Sequence, residues 1–187
     1  MNLYLITGGA GCGKSAFAES LCGKRFDKDG GRKLYLATMA NDGSPETSAK
    51  INRHRRLRAG RGFLTVERPR NLGQAASLIY PGDQILLEDL GNLAANEMFG
   101  KNPRDRDEIL AGLLTLAGAA GETGSLIVVS NEVALDGGSF APETEQYIRL
   151  LTALNRELAR RASAAVRLVA GIPVILTGEE ELEKCVR

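Results

Sequence analysis

The sequence predicts an α/β fold: a mostly parallel sheet with helices on both faces and one antiparallel strand. Three observations predict it. Short runs rich in Val, Ile and Leu alternate with longer amphipathic segments, the pattern of a sheet whose crossovers are helices. Residues 85–87 and 126–129 are apolar without alternation, as in strands covered on both faces. Near the end of the chain, Gly171 and Pro173 sit in a tight link between two apolar runs. Proline cannot donate to a sheet ladder, so the last run is an edge strand, and one of the pair runs antiparallel.

The elements follow in order. A first strand at residues 3–7 runs into a glycine turn, and a helix at 14–21 carries Ala16, Phe17, Ala18 and Leu21. Strands at 33–37, 63–66 and 84–88 are separated by helices at 46–58 and 71–78. Helices at 90–99 and 107–116 precede a strand at 125–130. The helix at 143–164 is the clearest, because Tyr147, Leu151, Leu154, Leu158 and Ala162 recur at steps of three and four to give one apolar stripe. Strands at 165–170 and 172–176 complete the pattern, and loops fall at 27–32, 41–45, 100–106 and 136–142. No internal repeat or low-complexity tract interrupts it.

A chain of 187 residues suits one domain, expected to span residues 1–187. Hydrophobic residues at 43% and charged residues at 25% are the balance of a soluble protein with enough apolar material for a core. The net charge of +1 gives no global field for nucleic acid or a membrane surface, so an anion site must be built locally. The first residues lack the charged start and length of a signal peptide, and no apolar run is long enough to span a bilayer. Cys12, Cys22 and Cys185 are odd in number and lack paired metal spacing, which argues against a disulfide framework or zinc site. They are expected to be reduced thiols in a cytoplasmic protein.

Gly8-Gly9-Ala10-Gly11-Cys12-Gly13-Lys14-Ser15 fits the pattern G-x-x-x-x-G-K-[ST]. Glycines let the backbone curl with its N–H groups pointing inward as an anion nest, and the following helix adds its positive end. Lys14 is expected to reach the β- and γ-phosphates as a catalytic group, and the Ser15 hydroxyl to ligate Mg²⁺. The motif follows an apolar strand and opens a helix, which is the context that a chance glycine turn lacks. Further on, the apolar run 84–87 ends in Glu88 and Asp89, where nucleotide-binding sheets place an acid near the metal and phosphates. Either residue can serve that purpose, or cap the helix that begins at Leu90.

The most unusual stretch is Lys50-Ile51-Asn52-Arg53-His54-Arg55-Arg56-Leu57-Arg58, followed by Arg61. Lys50, His54 and Arg58 share a helix face at steps of four, with Arg55 and Arg56 to the sides. His54 is the only histidine. Its cationic neighbours favour a neutral, nucleophilic imidazole. For an isolated run of this kind, a solvated basic helix with a surface histidine is the commoner explanation. A nucleotide-binding protein has a use for it, since arginines bind phosphates bidentately and stabilise transferring phosphoryl groups.

These pieces together resemble the bifunctional adenosylcobinamide kinase/adenosylcobinamide-phosphate guanylyltransferase family. The resemblance rests on the phosphate loop, Tyr35-Leu36-Ala37-Thr38, Lys50-Ile51-x-x-His54-Arg55-x-x-Arg58, Leu86-Leu87-Glu88, Asn96-x-x-Phe99, Val129-Ser130-Asn131-Glu132-Val133, Asn155-Arg156 and Gly171-Ile172. It implies a RecA-like P-loop NTPase fold, Mg²⁺, and ATP and GTP as substrates. It implies two reactions: phosphorylation of adenosylcobinamide, then transfer of GMP from GTP to the new phosphate through a GMP-histidine at His54. It places nucleotide contacts at Gly8 to Ser15, at Ala37, Thr38 and Met39, at Arg55, Arg56, Leu57 and Arg58, and at Glu67 and Glu88. Either glutamate can read guanine, and Glu88 can instead support Mg²⁺. It also implies a homotrimer, with no nucleic-acid partner and no membrane insertion.

Departures are visible. The family's loop often carries Arg-Ser where this chain has Gly11-Cys12, which removes one possible phosphate cation. Ala134-Leu135-Asp136 replace glycines after Val133, and the helix from Glu143 diverges apart from Arg149 and Asn155. Asn131 and Glu132, at the end of an apolar strand, suit loop hydrogen bonding as well as substrate contact. Two rival readings are a small-molecule kinase in which His54 is a spectator, and a nucleotide-dependent switch.

Overall fold

The computed structural model describes residues 2–40, 43–58, 60–133 and 140–186, apart from the side chains of residues 50, 54, 55, 57, 58, 185 and 186. Its strands are β1 (Asn2–Gly8), β2 (Lys33–Ala37), β3 (Phe63–Glu67), β4 (Gln84–Glu88), β5 (Ser125–Val129), β6 (Ala164–Val169) and β7 (Ile172–Thr177). Its α-helices are α1 (Lys14–Asp29), α2 (Pro45–Arg58), α3 (Leu90–Phe99), α4 (Arg106–Ala119), α5 (Pro142–Arg161) and α6 (Glu179–Val186), with a 3-10 helix at Leu72–Leu78. The seven strands form one sheet in the order β3-β2-β4-β5-β1-β6-β7. Every pairing is parallel except that of β6 with β7. The expected parallel sheet, its helices on both faces and its antiparallel edge strand are all present.

The strands are apolar on both sides because each side has its own core. Leu3 and Leu5 of β1 join Leu34, Leu36, Ile85, Leu87, Leu126 and Val128 against α3, α4 and α5. Tyr4 and Ile6 join Tyr35, Leu86, Ile127 and Val129 against Ala18, Leu21 and Cys22 of α1 and Leu182 of α6. Successive side chains thus alternate between two buried layers. At the far edge, β7 has neither covering: Ile172, Val174, Ile175 and Leu176 are all exposed.

Several boundaries differ from expectation for identifiable reasons. Helix α1 continues to Asp29 instead of stopping at Leu21, which shortens the loop expected at 27–32. Its extra turns bury Cys22 and Arg25. The Arg25 guanidinium donates to the Tyr4 hydroxyl at 3.0 Å, pairs with Asp29 at 2.9 Å and lies over the Tyr4 ring. The helix ends at Gly30, whose φ of 76° suits glycine and whose N–H donates to the Phe26 carbonyl. The segment expected as a helix at 71–78 is a 3-10 turn, since Leu72 and Ala75 are buried three residues apart, the period of that helix. Helix α6 was not expected. Leu182 is buried in the α1-side core. The helix is held as well by Glu181, which accepts from the Tyr4 hydroxyl at 2.9 Å. Helix α5 ends at Arg161, short of the expected Ala164, which already belongs to β6. The loops expected at 41–45 and 136–142 lie partly outside the described residues.

Candidate active site

The phosphate loop is shaped by its glycines. Gly8 has φ 143°, and a Cβ there would meet the Leu168 carbonyl oxygen at 2.5 Å, so β6 packs where a side chain would begin. Gly11 and Gly13 have φ of 69° and 97°, conformations that other residues rarely adopt. A Cβ on Gly9 or Gly11 would meet nothing within 4 Å, which leaves the mouth of the loop open. Beneath it, the Gly171 N–H donates to the Cys12 carbonyl at 3.0 Å, so the β6–β7 turn supports the loop. Helix α1 begins at Lys14 with no side-chain cap, and its first N–H groups remain for an anion. Lys14 is buried, and its ammonium donates to the carbonyls of Gly8 at 2.9 Å and Gly9 at 2.6 Å.

The structure separates the two acids at the end of β4. Glu88 turns to the loop: one carboxylate oxygen accepts from the Ser15 hydroxyl, the other from the Tyr35 phenol at 3.1 Å. Asp89 caps α3, accepting the Asn92 N–H at 2.6 Å, and also accepts from the Asn131 amide at 3.0 Å. The helix cap is thus Asp89, while Glu88 faces the phosphate loop.

Beside the loop lies a cleft lined by Tyr35, Ala37, Met39, Ile51, Glu67 and Glu88, with Asp89 and Asn92 completing the wall. Expected site residues at 37, 39, 67 and 88 thus converge from three strand ends. Thr38 is buried behind them. Its N–H donates to the Glu88 carbonyl at 3.2 Å and its hydroxyl to the Asp89 carbonyl at 2.7 Å, so it fixes the cleft wall. Tyr35 was read only as a strand residue, and Asn92 as part of a helix. The polar tip of a tyrosine in an otherwise apolar strand was the available signal for the first. Arg56 is exposed and its Nε donates back to the Asn52 carbonyl at 3.4 Å, away from the cleft wall. The backbone of residues 54–58 continues α2 beyond Ile51, while the side chains of His54, Arg55, Leu57 and Arg58 lie outside the described residues.

On the other face of the sheet, Glu132 accepts from the Thr7 hydroxyl at 3.1 Å and from Arg167 Nε at 3.0 Å. Its N–H donates to the Gly8 carbonyl at 3.3 Å, which ties the end of β5 to the phosphate loop. The Asn155 amide donates to the Asn131 carbonyl at 3.3 Å. Burial, and then the Asp89 carboxylate, raise the Tyr147 phenol above its ordinary value, so it stays protonated as a donor. Among the described residues no three His, Cys, Asp or Glu side chains cluster as a metal cage. Ser15 and Glu88 nevertheless offer hard oxygen donors of the kind Mg²⁺ shares with phosphates and water.

A phosphate loop at the end of β1, an acid at the end of β4, two strands away, and a cleft beside that acid define a P-loop nucleotide-binding α/β protein. The family model described as cobinamide kinase / cobinamide phosphate guanyltransferase matches residues 4–176, and the chain belongs to that family. It is 31% identical to the bifunctional adenosylcobalamin biosynthesis protein CobU of Escherichia coli (strain K12), over 92% of this chain and 98% of that one. It is 32% identical to the bifunctional adenosylcobalamin biosynthesis protein CobP of Pseudomonas aeruginosa, over 94% and 97% of the two chains. Among solved structures it is similar to the flagellar accessory protein FlaH of Methanocaldococcus jannaschii, with a TM-score of 0.48 and 15% identity over 94% of this chain and 78% of that chain.

Proposed function

We propose that this protein, as a single domain, phosphorylates adenosylcobinamide with ATP or GTP and then transfers GMP from GTP to the phosphate it has made. The observation that carries this reading is the bond from Ser15, next to Lys14 in the phosphate loop, to Glu88, which lines the cleft. In the first reaction the acceptor hydroxyl oxygen attacks the γ-phosphorus, the bond to the β-phosphate breaks, and the hydroxyl proton is lost. Lys14 exchanges its two carbonyl partners for phosphate oxygens. Ser15 would hold Mg²⁺, with Glu88 orienting its hydroxyl, and the ion would supply charge neutralisation on the phosphates. With Glu88 directed at Ser15, Glu67 is the carboxylate that reads guanine, accepting from the base N1–H and amino group.

In the second reaction a ring nitrogen of His54 attacks the α-phosphorus of GTP and pyrophosphate leaves. An oxygen of the acceptor phosphate then displaces the histidine, giving adenosylcobinamide-GDP. One difficult displacement becomes two easier ones. Arg55, Arg56 and Arg58 neutralise the departing charge. Ile51 lines the nucleotide cleft, and residue 54 follows one helical turn later on α2, which supports the assignment. The active form is a homotrimer in the cytoplasm. Four exposed apolar side chains on β7 favour a subunit contact there. No helix among the described residues is long and apolar enough to cross a membrane.

The test is incubation with Mg²⁺ and GTP labelled at the α-phosphate. Acid-labile, base-stable label on the wild type but not on His54→Ala is the expected result. A folded, GTP-binding wild type that takes up no label would exclude the guanylyl transfer and leave a kinase.

A further inference from the structure

A second cleft opens on the face of the sheet opposite the nucleotide cleft. Leu5 and Thr7 of β1 form its floor, Thr152, Asn155 and Ala159 of α5 one wall, and Leu176 of β7 the other, with Asn131, Glu132 and Val133 at its head. Its lining is largely apolar, with carboxamides among the few polar groups. The Asn155 amide nitrogen is used by the Asn131 carbonyl, but Asn155 Oδ1 is buried and has no donor. A buried acceptor without a donor is costly, and a ligand N–H would relieve that cost. The cleft is not remote from the chemistry, since Thr7 leads directly into the phosphate loop and Glu132 is bonded to Gly8. Asp89, in the nucleotide cleft, is connected through Asn131 to Asn155 in this one. An in-line transfer needs donor and acceptor on opposite sides of the moving phosphorus, and these clefts flank the loop from opposite faces.

We propose that this cleft is the acceptor site, and that it takes the carboxamide-bearing edge of the corrin ring. The apolar floor packs against the macrocycle's rim. A primary amide of the ligand donates to Asn155 Oδ1. This rests on the reading of the protein as a cobinamide-modifying enzyme.

Two substitutions and one direct measurement test it. Thr152→Trp places a wedge in the cleft, and Asn155→Leu removes the unpaired acceptor while keeping the side-chain volume. Both are expected to raise KM for cobinamide about tenfold or more, while nucleotide Kd and GTP-dependent self-labelling stay at wild-type values. An unchanged KM in either folded variant overturns the proposal. Because a wedge can unseat α5, hydrogen exchange of the unmodified enzyme is read in parallel. Cobinamide should protect the backbone amides of residues 151–159, and absence of that protection at saturating cobinamide also overturns it. A wild type with no cobinamide-dependent turnover at all would instead sink the functional reading, which separates the two failures.

Discussion

The Ser15 hydroxyl donates to a carboxylate oxygen of Glu88, joining the first turn of α1 to the end of β4 across 73 residues of sequence. In the proposed reaction Glu88 acts on the metal side of the site through this bond, as an outer partner that orients the Ser15 hydroxyl. Glu88→Gln is expected to weaken Mg²⁺-dependent nucleotide binding about 10–100-fold. Binding without Mg²⁺ should change far less. Calorimetric titration with and without the metal separates these, and equal losses in both would show that Glu88 contacts the nucleotide instead.

Two neighbouring glycines should respond differently to alanine. At Gly8 the new Cβ meets backbone at 2.5 Å and the Cys12 sulfur at 2.7 Å, at φ 143°. Gly8→Ala is expected to lower stability by about 1–3 kcal/mol or more in a denaturant melt, and to abolish nucleotide binding with it. At Gly9 the new methyl meets nothing. Gly9→Ala should melt like the wild type yet bind nucleotide less well, because the open space belongs to the phosphates.

Burial pushes the Cys22 thiol up from 9.0 to about 12, an effect only partly offset by Lys33. The folded value lies above the unfolded one, so the unfolded chain loses its proton first as pH rises. The stability linked to this thiol is therefore complete below about pH 9 and is lost between about pH 9 and 12. Cys22→Ala should flatten the fall in stability over that window in melts taken at stepped alkaline pH. An unchanged slope would place the alkaline transition elsewhere.

The exposed side chains of β7 give the proposed trimer a specific test. A lysine at Val174 sets a charge among Ile172, Ile175 and Leu176 on an edge strand, a device that keeps sheet edges from associating. Val174→Lys is expected to lower the sedimentation coefficient to that of one chain while leaving the melt nearly unchanged. A trimer that persists would place the contact on another face.

How much could be read beforehand follows from where the information lies. The strands were legible because residues such as Leu86 and Ile127 are apolar for a local reason, burial on both faces. The phosphate loop was legible because its glycines are required by backbone conformation, which is a local demand. Helix α6 was not, since its hold on the fold is long-range: Glu181 pairs with Tyr4 and Arg25, and Leu182 packs into the α1-side core. The division of labour between Glu88 and Asp89 was also hidden. Both are carboxylates at one strand end, and only the positions of Ser15 and Asn92 distinguish them. The second cleft draws on β1, β5, α5 and β7, a combination that no single stretch of sequence contains.

Lys14 donates to the carbonyls of Gly8 and Gly9. The loop is thus braced by its own lysine. In the proposed reaction each arriving triphosphate must win the ammonium away from the backbone, and each departing product leaves as the lysine returns. Hydrogen bonds to a charged group contribute about 1.5–3 kcal/mol, enough to favour turnover over a tightly retained product.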